Sequence, residues 1–309
     1  MNNKLVFMFS GQGSQYVGMG KELFENYPAA AEILNQAQQI LNFDLQKLMF
    51  TGPEVELNNT KNTQPAIYTV SAMIAAVLAE KGIEPAAVAG HSLGEYSALH
   101  AAEVFSFADG LKLVRKRGEL MDQADPDGRG TMAAVIGLED KIVESVLAEV
   151  EGICQVANYN SPGQVVISGE VAAVKTAEKI LAEKGAKRVI PLQVSGAFHS
   201  ALMKPAKAEL KKAIEATEFK DAKLPLVANV TADYVSTSSE IKAALIKQLD
   251  NSVRWVESIK CLKSAAYQDY VEVGPGRVLK GLMRRIDRSL NAYNVEDEKS
   301  LNKTLKKLS

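Results

Sequence analysis

Short runs of consecutive hydrophobic residues alternate along the chain with longer segments in which hydrophobic positions recur at helical spacing. The run from Leu5 to Phe9 and the run AAVAG, residues 86–90, are typical of strands buried on both faces. Helical spacing is found near Lys21 to Asn26 and over residues 65–82, where Pro65 is expected in the first turn. This alternation of strands with helices predicts an α/β fold with a mostly parallel sheet.

The pattern changes between residues 130 and 194, where it predicts strand, helix, strand, strand, helix and strand in that order. This βαββαβ order is that of ferredoxin-like domains. We therefore predict a larger α/β domain, residues 1–127 and 198–309, interrupted by an inserted ferredoxin-like domain, residues 128–197. After the insert, PLVANV and YVEVG are further strand candidates, and the charged tail from residue 296 is expected to be a solvated end.

Composition and charge exclude several classes of protein. The chain has 36 basic and 37 acidic residues and a formal net charge of −1, which does not favour a nucleic-acid partner. Its two cysteines, Cys154 and Cys261, have no metal-binding or disulfide-framework spacing. The first apolar run is too short for a signal peptide and no segment reaches membrane-spanning length, so we expect a cytoplasmic protein.

The glycine-rich GQGSQY, residues 11–16, invites comparison with dinucleotide-binding loops. The comparison fails because Tyr16 occupies the position of the third glycine. One interpretation is a tight turn that needs glycine backbone angles. The alternative is that the loop amides point toward an active site at the carboxyl ends of the strands. No nucleotide cofactor is therefore predicted.

A candidate nucleophile lies in VAGHSLGEYSAL, residues 88–99, which contains the pattern G-x-S-x-G around Ser92. The pattern stands between a predicted strand and a predicted helix, as a nucleophile elbow requires. In that geometry the Leu93 amide would face a developing oxyanion. The alternative is that Ser92 merely caps the helix that follows.

A serine nucleophile needs a base, and the chain has three histidines. His91 neighbours Ser92 in a tight turn, where adjacent side chains point apart. His100 lies eight residues along the helix, about 12 Å away. By elimination His199, in the loop where the chain returns from the insert, is the best candidate, although a single loop histidine can also be an ordinary surface residue.

Arg117 is the one charged residue predicted to face inward on an amphipathic helix. The helix spans residues 106–123 and begins with the capping box Ser106-x-x-Asp109. Because a buried arginine cannot lose its proton, it needs an anion, and no acid lies three or four residues away on its own helix. The anion is either an acid from another segment or the carboxylate of a substrate.

Several segments, in order across nearly the whole chain, resemble malonyl-CoA:acyl carrier protein transacylases. They are FSGQGSQYVGMG, NTQPAI, AGHSLGEYSAL, VRKRGELM, NYNSPGQVVISG, GAFHSALM, QLDNSVRW and EVGPGRVL. The resemblance implies an α/β-hydrolase-like larger domain with an inserted ferredoxin-like domain. It also implies an acyltransferase of fatty-acid synthesis that carries malonyl from coenzyme A to the phosphopantetheine thiol of acyl carrier protein.

The same resemblance implies a role for each matching position. Ser92 matches the nucleophile, His199 the base and Arg117 the ligand of the malonyl carboxylate. Supporting positions are the oxyanion-hole amides of Gln12 and Leu93, the carbonyl of Gln248 that orients the histidine, the cleft residue Asn160 and the malonyl-selecting Phe198. Malonyl-CoA and acyl carrier protein are the implied partners, with no cofactor, no nucleic acid and no membrane, and a monomer is expected.

Three alternatives remain at this point. A free-standing acyltransferase of a polyketide synthase would have nearly the same sequence, and its carrier protein would distinguish it. A serine hydrolase of the lipase type would place its histidine later in the chain and use a different oxyanion loop. A carrier-binding scaffold without catalysis would have no reason to keep Ser92, His199 and Arg117 together.

Overall fold

The computed structural model describes residues 4–125 and 127–308, so the outer ends of the predicted domains and residue 126 lie outside it. Its strands are β1 (Leu5–Phe9), β2 (Ala87–Gly90), β3 (Gly130–Ile136), β4 (Cys154–Ser161), β5 (Gln164–Glu170), β6 (Arg188–Pro191), β7 (Leu226–Val227), β8 (Tyr234–Val235), β9 (Asp269–Val273) and β10 (Asn291–Val295). They form two separate sheets.

The larger sheet has six strands in the order β10-β9-β1-β2-β7-β8. All of its neighbours are parallel except β7 and β8. Strand β1 is central and every residue in it is buried, with Phe7 in one hydrophobic core and Val6 and Met8 in another. A parallel sheet covered on both faces needs such a continuous apolar run, which explains why the sequence pattern identified β1 and β2.

The smaller sheet is antiparallel and has the order β4-β5-β3-β6. Its first strand, β3, is central between the third and the last, which is the arrangement of ferredoxin-like folds. The predicted α/β class is therefore confirmed. All four strands lie within the predicted insert, residues 128–197, whose exact limits stay a prediction.

The helices cover both sheets. They are α1 (Lys21–Asn26), α2 (Pro28–Ile40), α3 (Leu45–Thr51), α4 (Glu54–Asn58), α5 (Thr60–Glu80), α6 (Gly94–Ala101), α7 (Phe107–Gln123), α8 (Asp140–Glu149), α9 (Val171–Glu183), α10 (Lys204–Ala216), α11 (Ser238–Gln248), α12 (Trp255–Ser264), α13 (Val278–Ile286) and α14 (Glu298–Leu308). Within the described residues, none of them is both long enough and apolar enough to cross a membrane.

Helix α5 begins at Thr60, earlier than the predicted start near Pro65, so the proline lies inside the helix. Proline has no N–H for the carbonyl four residues earlier, which is that of Lys61. That carbonyl instead accepts a hydrogen bond from Arg115 Nη1 on α7, at 3.0 Å. A side chain from a neighbouring helix thus replaces the missing backbone donor, which the local sequence does not reveal.

The prediction of a solvated C-terminal end is wrong for residues 298–308, which form α14. The Asp297 carboxylate accepts from the Ser300 amide at 2.7 Å at the start of the helix. Leu301 and Thr304 are buried, and the Thr304 hydroxyl donates to the carbonyl of Asn294 in β10 at 3.0 Å. The many charges hid an amphipathic pattern in which few apolar positions face the core.

We expect Leu301→Ala to lower the free energy of unfolding by about 2–4 kcal/mol, because a buried leucine loses its contacts and leaves a cavity. The matched control is Lys303→Ala on the exposed face of α14, with an expected change within about 0.5 kcal/mol. Denaturant unfolding of both variants checks this. Equal stability of the two would show that α14 does not pack against the sheet.

Candidate active site

Part of the candidate site lies at the carboxyl ends of the parallel strands. The loop with Gly11 and Gln12 follows β1, the turn with Ser92 follows β2, and Asn229 follows β7. Open α/β sheets bind ligands at this edge because the loops that follow the strands meet there. The fold therefore brings together segments that are far apart in the chain.

Ser92 occupies a strained turn between β2 and α6. Its φ is 53°, a left-handed value that costs a residue with a side chain of order 1 kcal/mol. A Cβ on Gly90 would lie 2.0 Å from the Gly94 carbonyl carbon, and a Cβ on Gly94 would lie 2.1 Å from the Phe9 carbonyl oxygen. Both glycines of the G-x-S-x-G pattern are thus required by close backbone contacts, as expected for a nucleophile elbow.

His199 faces Ser92, with 2.7 Å between Nε2 and the serine Oγ. On the other side of the ring, Nδ1 lies 2.9 Å from the carbonyl oxygen of Gln248 and 3.1 Å from that of Asn251. Two carbonyl acceptors at Nδ1 place the ring proton there, which leaves Nε2 free to accept the serine proton. The carbonyls thus do for this histidine what a carboxylate does in a serine–histidine–aspartate triad.

Burial and the neighbouring Arg117 lower the pKa of His199 to about 3. His199 is only 3% exposed, so the charged imidazolium would be poorly solvated. The imidazole is consequently neutral at physiological pH. A neutral imidazole is the form that can act as a base.

Arg117 is buried, as the helical pattern of α7 predicts, with 1% of its surface exposed. Its Nη2 donates to Ser92 Oγ at 3.0 Å and to Gln248 Oε1 at 3.1 Å, and the guanidinium lies 5.5 Å from the ring centre of Tyr96. Among the described residues no carboxylate forms an ion pair with it. A buried cation without a paired anion beside a nucleophile is suited to bind an anionic substrate group.

A buried acid completes the polar network. Glu95, in the first turn of α6, accepts from Gln248 Nε2 at 2.8 Å and from the Asn229 backbone N–H at 3.1 Å. Burial raises the pKa of Glu95 to about 7, although these hydrogen bonds and Arg117 favour the carboxylate. Asn229 in turn accepts from the Ser92 backbone N–H at 2.7 Å.

Gln12 and Leu93 are two further predicted positions. Gly11, next to Gln12, packs on the His91 carbonyl, and Gln12 Nε2 donates to the Thr60 hydroxyl at 3.1 Å. Leu93 is the N-cap of α6, where an amide has no intrahelical acceptor. The oxyanion-hole roles of the Gln12 and Leu93 amides stay predictions.

Asn160 and Phe198 are the remaining two predicted positions. Asn160 Oδ1 is 2.8 Å from His91 Nε2, so its contact is with the histidine of the elbow and not with Ser92. Phe198 is buried beside His199. The roles predicted for both residues stay predictions.

Sequence reasoning missed Glu95, Asn229, Asn251 and the side chain of Gln248. Two signals were present. Asn229 stands near the carboxyl end of a predicted strand, where ligand-binding residues collect, and Glu95 is the one acid in residues 94–101, which follow the elbow. For Asn251 and the Gln248 amide the local sequence carries no comparable signal.

A metal or cofactor was not predicted. In the part of the chain that the structure describes, no three His, Cys, Asp or Glu side chains converge where they could hold a metal ion. A cavity of about 540 Å³ lies elsewhere, lined by residues that include Phe43, Lys61 and Arg115, and neither Ser92 nor His199 lines it.

The chain matches known acyltransferases over almost its whole length. Residues 6–306 match the family described as "Acyl transferase domain". A malonyl CoA-acyl carrier protein transacylase of Bacillus subtilis (strain 168) is 46% identical over 302 residues, covering 97% of this chain and 95% of that protein. One of Staphylococcus aureus (strain MSSA476) is 44% identical over 297 residues, covering 95% and 96%.

Solved structures agree with this assignment. An acyl carrier protein S-malonyltransferase of Vibrio cholerae superposes with a TM-score of 0.95 at 43% identity, covering 97% of this chain and 99% of that one. A malonyl-transacylase in complex with a type II polyketide synthase acyl-carrier protein superposes with a TM-score of 0.96 at 42% identity, covering 98% and 99%. The chain has a serine–histidine centre beside a buried arginine, and it belongs to the malonyl-CoA:acyl carrier protein transacylase family.

Proposed function

We propose that this protein transfers the malonyl group of malonyl-CoA to the phosphopantetheine thiol of acyl carrier protein through a malonyl ester on Ser92. The observation that carries the proposal is the contact of Ser92 Oγ with both His199 Nε2, at 2.7 Å, and Arg117 Nη2, at 3.0 Å. One contact supplies a base for the nucleophile. The other places a cation where the carboxylate of a malonyl group on that oxygen can reach it.

The reaction proceeds in two matched halves. Ser92 Oγ attacks the thioester carbonyl while its proton passes to His199 Nε2, and the amides of Gln12 and Leu93 stabilise the oxyanion. The carbon–sulfur bond breaks and His199 returns the proton to the thiolate of coenzyme A. His199 then takes the proton of the carrier thiol, which attacks the ester, and returns it to Ser92. One thioester and one thiol are consumed and one of each is formed, so the overall transfer balances without a redox cofactor or metal.

The proposed reaction also bears on the location of the protein and on its carrier. Malonyl-CoA and acyl carrier protein are substrates of bacterial fatty-acid synthesis in the cytoplasm, so we propose a cytoplasmic location. The monomeric state stays a prediction. The polyketide alternative is not favoured, because the relatives from Bacillus subtilis and Staphylococcus aureus carry the general transacylase name. Transfer assays with fatty-acid and polyketide carriers side by side measure the preference directly.

Intact mass spectrometry tests the proposal. Mixing the protein with malonyl-CoA is expected to give a malonyl adduct that survives in buffer and disappears when holo acyl carrier protein is added. Carrier protein without its phosphopantetheine arm is the control and leaves the adduct in place. Loss of the adduct to water at the same rate with and without carrier would identify a hydrolase and overturn the proposal.

The pH dependence of kcat/KM for malonyl-CoA is expected to show no decrease near pH 6.5. Because burial and Arg117 lower the pKa of His199 to about 3, this base stays neutral as the pH falls from about 8 to about 5. Initial rates across this range check the expectation. A control sample held at each pH and assayed at about pH 7.5 excludes unfolding. Because the pKa of Glu95 is raised to about 7, the profile is measured in Glu95→Gln as well, and an acid limb centred on the ordinary histidine pKa of 6.5 in both proteins would contradict the expectation.

A further inference from the structure

Glu95 lies directly behind the nucleophile, yet the transfer steps do not use it. Its side chain is buried, with 2% of the residue exposed. A single oxygen, Oε2, accepts both the Gln248 amide at 2.8 Å and the Asn229 backbone N–H at 3.1 Å. Burying a carboxyl group is costly, so these contacts call for a reason beyond filling space.

The two residues that Glu95 contacts hold the reacting groups. Gln248 Nε2 also donates to the Ser92 carbonyl at 3.0 Å, its Oε1 accepts from Arg117 at 3.1 Å, and its backbone carbonyl accepts from His199 at 2.9 Å. Asn229 accepts from the Ser92 N–H at 2.7 Å and donates to the Gly90 carbonyl at 2.7 Å. Glu95 is therefore linked to Ser92, His199 and Arg117 through a single intermediate residue, Gln248.

The chemistry of the partners fixes the orientation of the Gln248 amide. An amide has a donor end and an acceptor end, and either could face a given neighbour. Glu95 Oε2 and the Ser92 carbonyl oxygen both accept hydrogen bonds from this amide, so they hold its NH₂ end on their side. The oxygen end must then face Arg117, which donates only. Without Glu95 the NH₂ end keeps only the Ser92 carbonyl as an acceptor, and the oxygen end keeps only Arg117 as a donor.

We propose that Glu95 is a positioning residue for malonyl transfer, which fixes the Gln248 amide against Arg117 and the Asn229 backbone beneath the Ser92 turn by accepting both hydrogen bonds. The proposal rests on the transferase function proposed above. In this proposal, malonyl transfer depends on the position of Glu95 Oε2, which accepts the two hydrogen bonds. The negative charge of the carboxylate is secondary.

Two conservative variants separate these possibilities. Glu95→Gln keeps a side chain of the same length, whose amide oxygen can accept both hydrogen bonds, and removes the charge. Glu95→Asp keeps the charge but is one methylene shorter, so its oxygen cannot reach both donors without movement. Glu209→Gln on α10 is the control, since its carboxylate is exposed and, among the described residues, accepts a hydrogen bond from Lys212 alone.

The assay measures kcat/KM with malonyl-CoA and with acetyl-CoA. Each value is divided by the fraction of the protein that malonyl-CoA acylates. Glu95→Asp is expected to lose about 10- to 100-fold with malonyl-CoA and to narrow the preference over acetyl-CoA, because Arg117 and Ser92 lose their shared support. Glu95→Gln is expected to stay within about threefold of the unmodified protein on both measures. Glu209→Gln is expected to match the unmodified protein.

The reverse order, with Glu95→Gln impaired and Glu95→Asp normal, would overturn the proposal in favour of the charge. The proposal would also be overturned if all variants had the same rates and the same preference for malonyl-CoA over acetyl-CoA, or if Glu95→Gln and Glu95→Asp were equally impaired. A purely structural role would lower melting temperature or the acylatable fraction while leaving the preference per acylated site unchanged. Failure of the unmodified protein to form any adduct would refute the proposed function, independently of Glu95.

Discussion

Ser92→Ala is expected to abolish the malonyl adduct and to lower the rate of malonyl transfer by at least about 10⁴-fold, the scale seen when a serine nucleophile is removed. In the described part of the chain, Ser92 supplies the hydroxyl that His199 Nε2 contacts, at 2.7 Å. Alanine keeps the backbone turn with its φ of 53°, so the fold of the elbow is retained while the attacking atom is lost. Intact mass and transfer rates measure the two effects.

Ser97→Ala is the matched control for this variant. Ser97 lies on the same helix, α6, is buried, and its hydroxyl has no hydrogen-bond partner among the described residues. Removing that hydroxyl is therefore expected to change the transfer rate by less than about twofold. A Ser92→Ala protein that still formed a stable adduct, or kept more than about 1% of the rate, would show that another group carries the acyl chain.

The sequence predicted the elements whose hydrophobic pattern is strong. Strand β1 and the βαββαβ insert were identified because a run buried on both faces and a regular alternation leave a clear pattern. The inward position of Arg117 was predictable because helical spacing alone puts this single charge among apolar residues on one face of α7. Helix α14 was missed because charged residues outnumber the few positions that pack inward, and β10 because its outer residues are partly exposed.

The sequence predicted Ser92, His199, Arg117 and the backbone carbonyl of Gln248 as candidate site positions, but not Glu95, Asn229 or the Gln248 side chain. Ser92 and His199 carry recognisable chemistry, whereas Asn229 and Gln248 contact Ser92 across 137 and 156 residues of sequence. Contacts over such distances depend on how the strands are ordered in the sheet. Local propensity contains no information on that order, which explains why the Glu95 network became visible only in three dimensions.

Arg117→Ala is expected to lower kcat/KM for malonyl-CoA by about 10²- to 10⁴-fold. The malonyl carboxylate would lose Arg117 as its partner, and removing one partner of a buried charge pair costs about 3–5 kcal/mol. The acetyl group has no carboxylate to pair with the guanidinium. The rate with acetyl-CoA is therefore expected to change far less, so the preference for malonyl collapses. Side-by-side kinetics with the two thioesters measure this ratio.

The ratio separates recognition of the carboxylate from general damage, because both thioesters need the same serine, histidine and coenzyme A contacts. Arg115→Ala provides the control two residues away on α7, where the guanidinium stacks on Phe43, 4.9 Å from the ring centre, and pairs with Glu119. It removes the same charge from the same helix but faces away from Ser92. If Arg115→Ala lowered the preference as much as Arg117→Ala, the discrimination would come from the charge of the helix as a whole and not from a contact at the nucleophile.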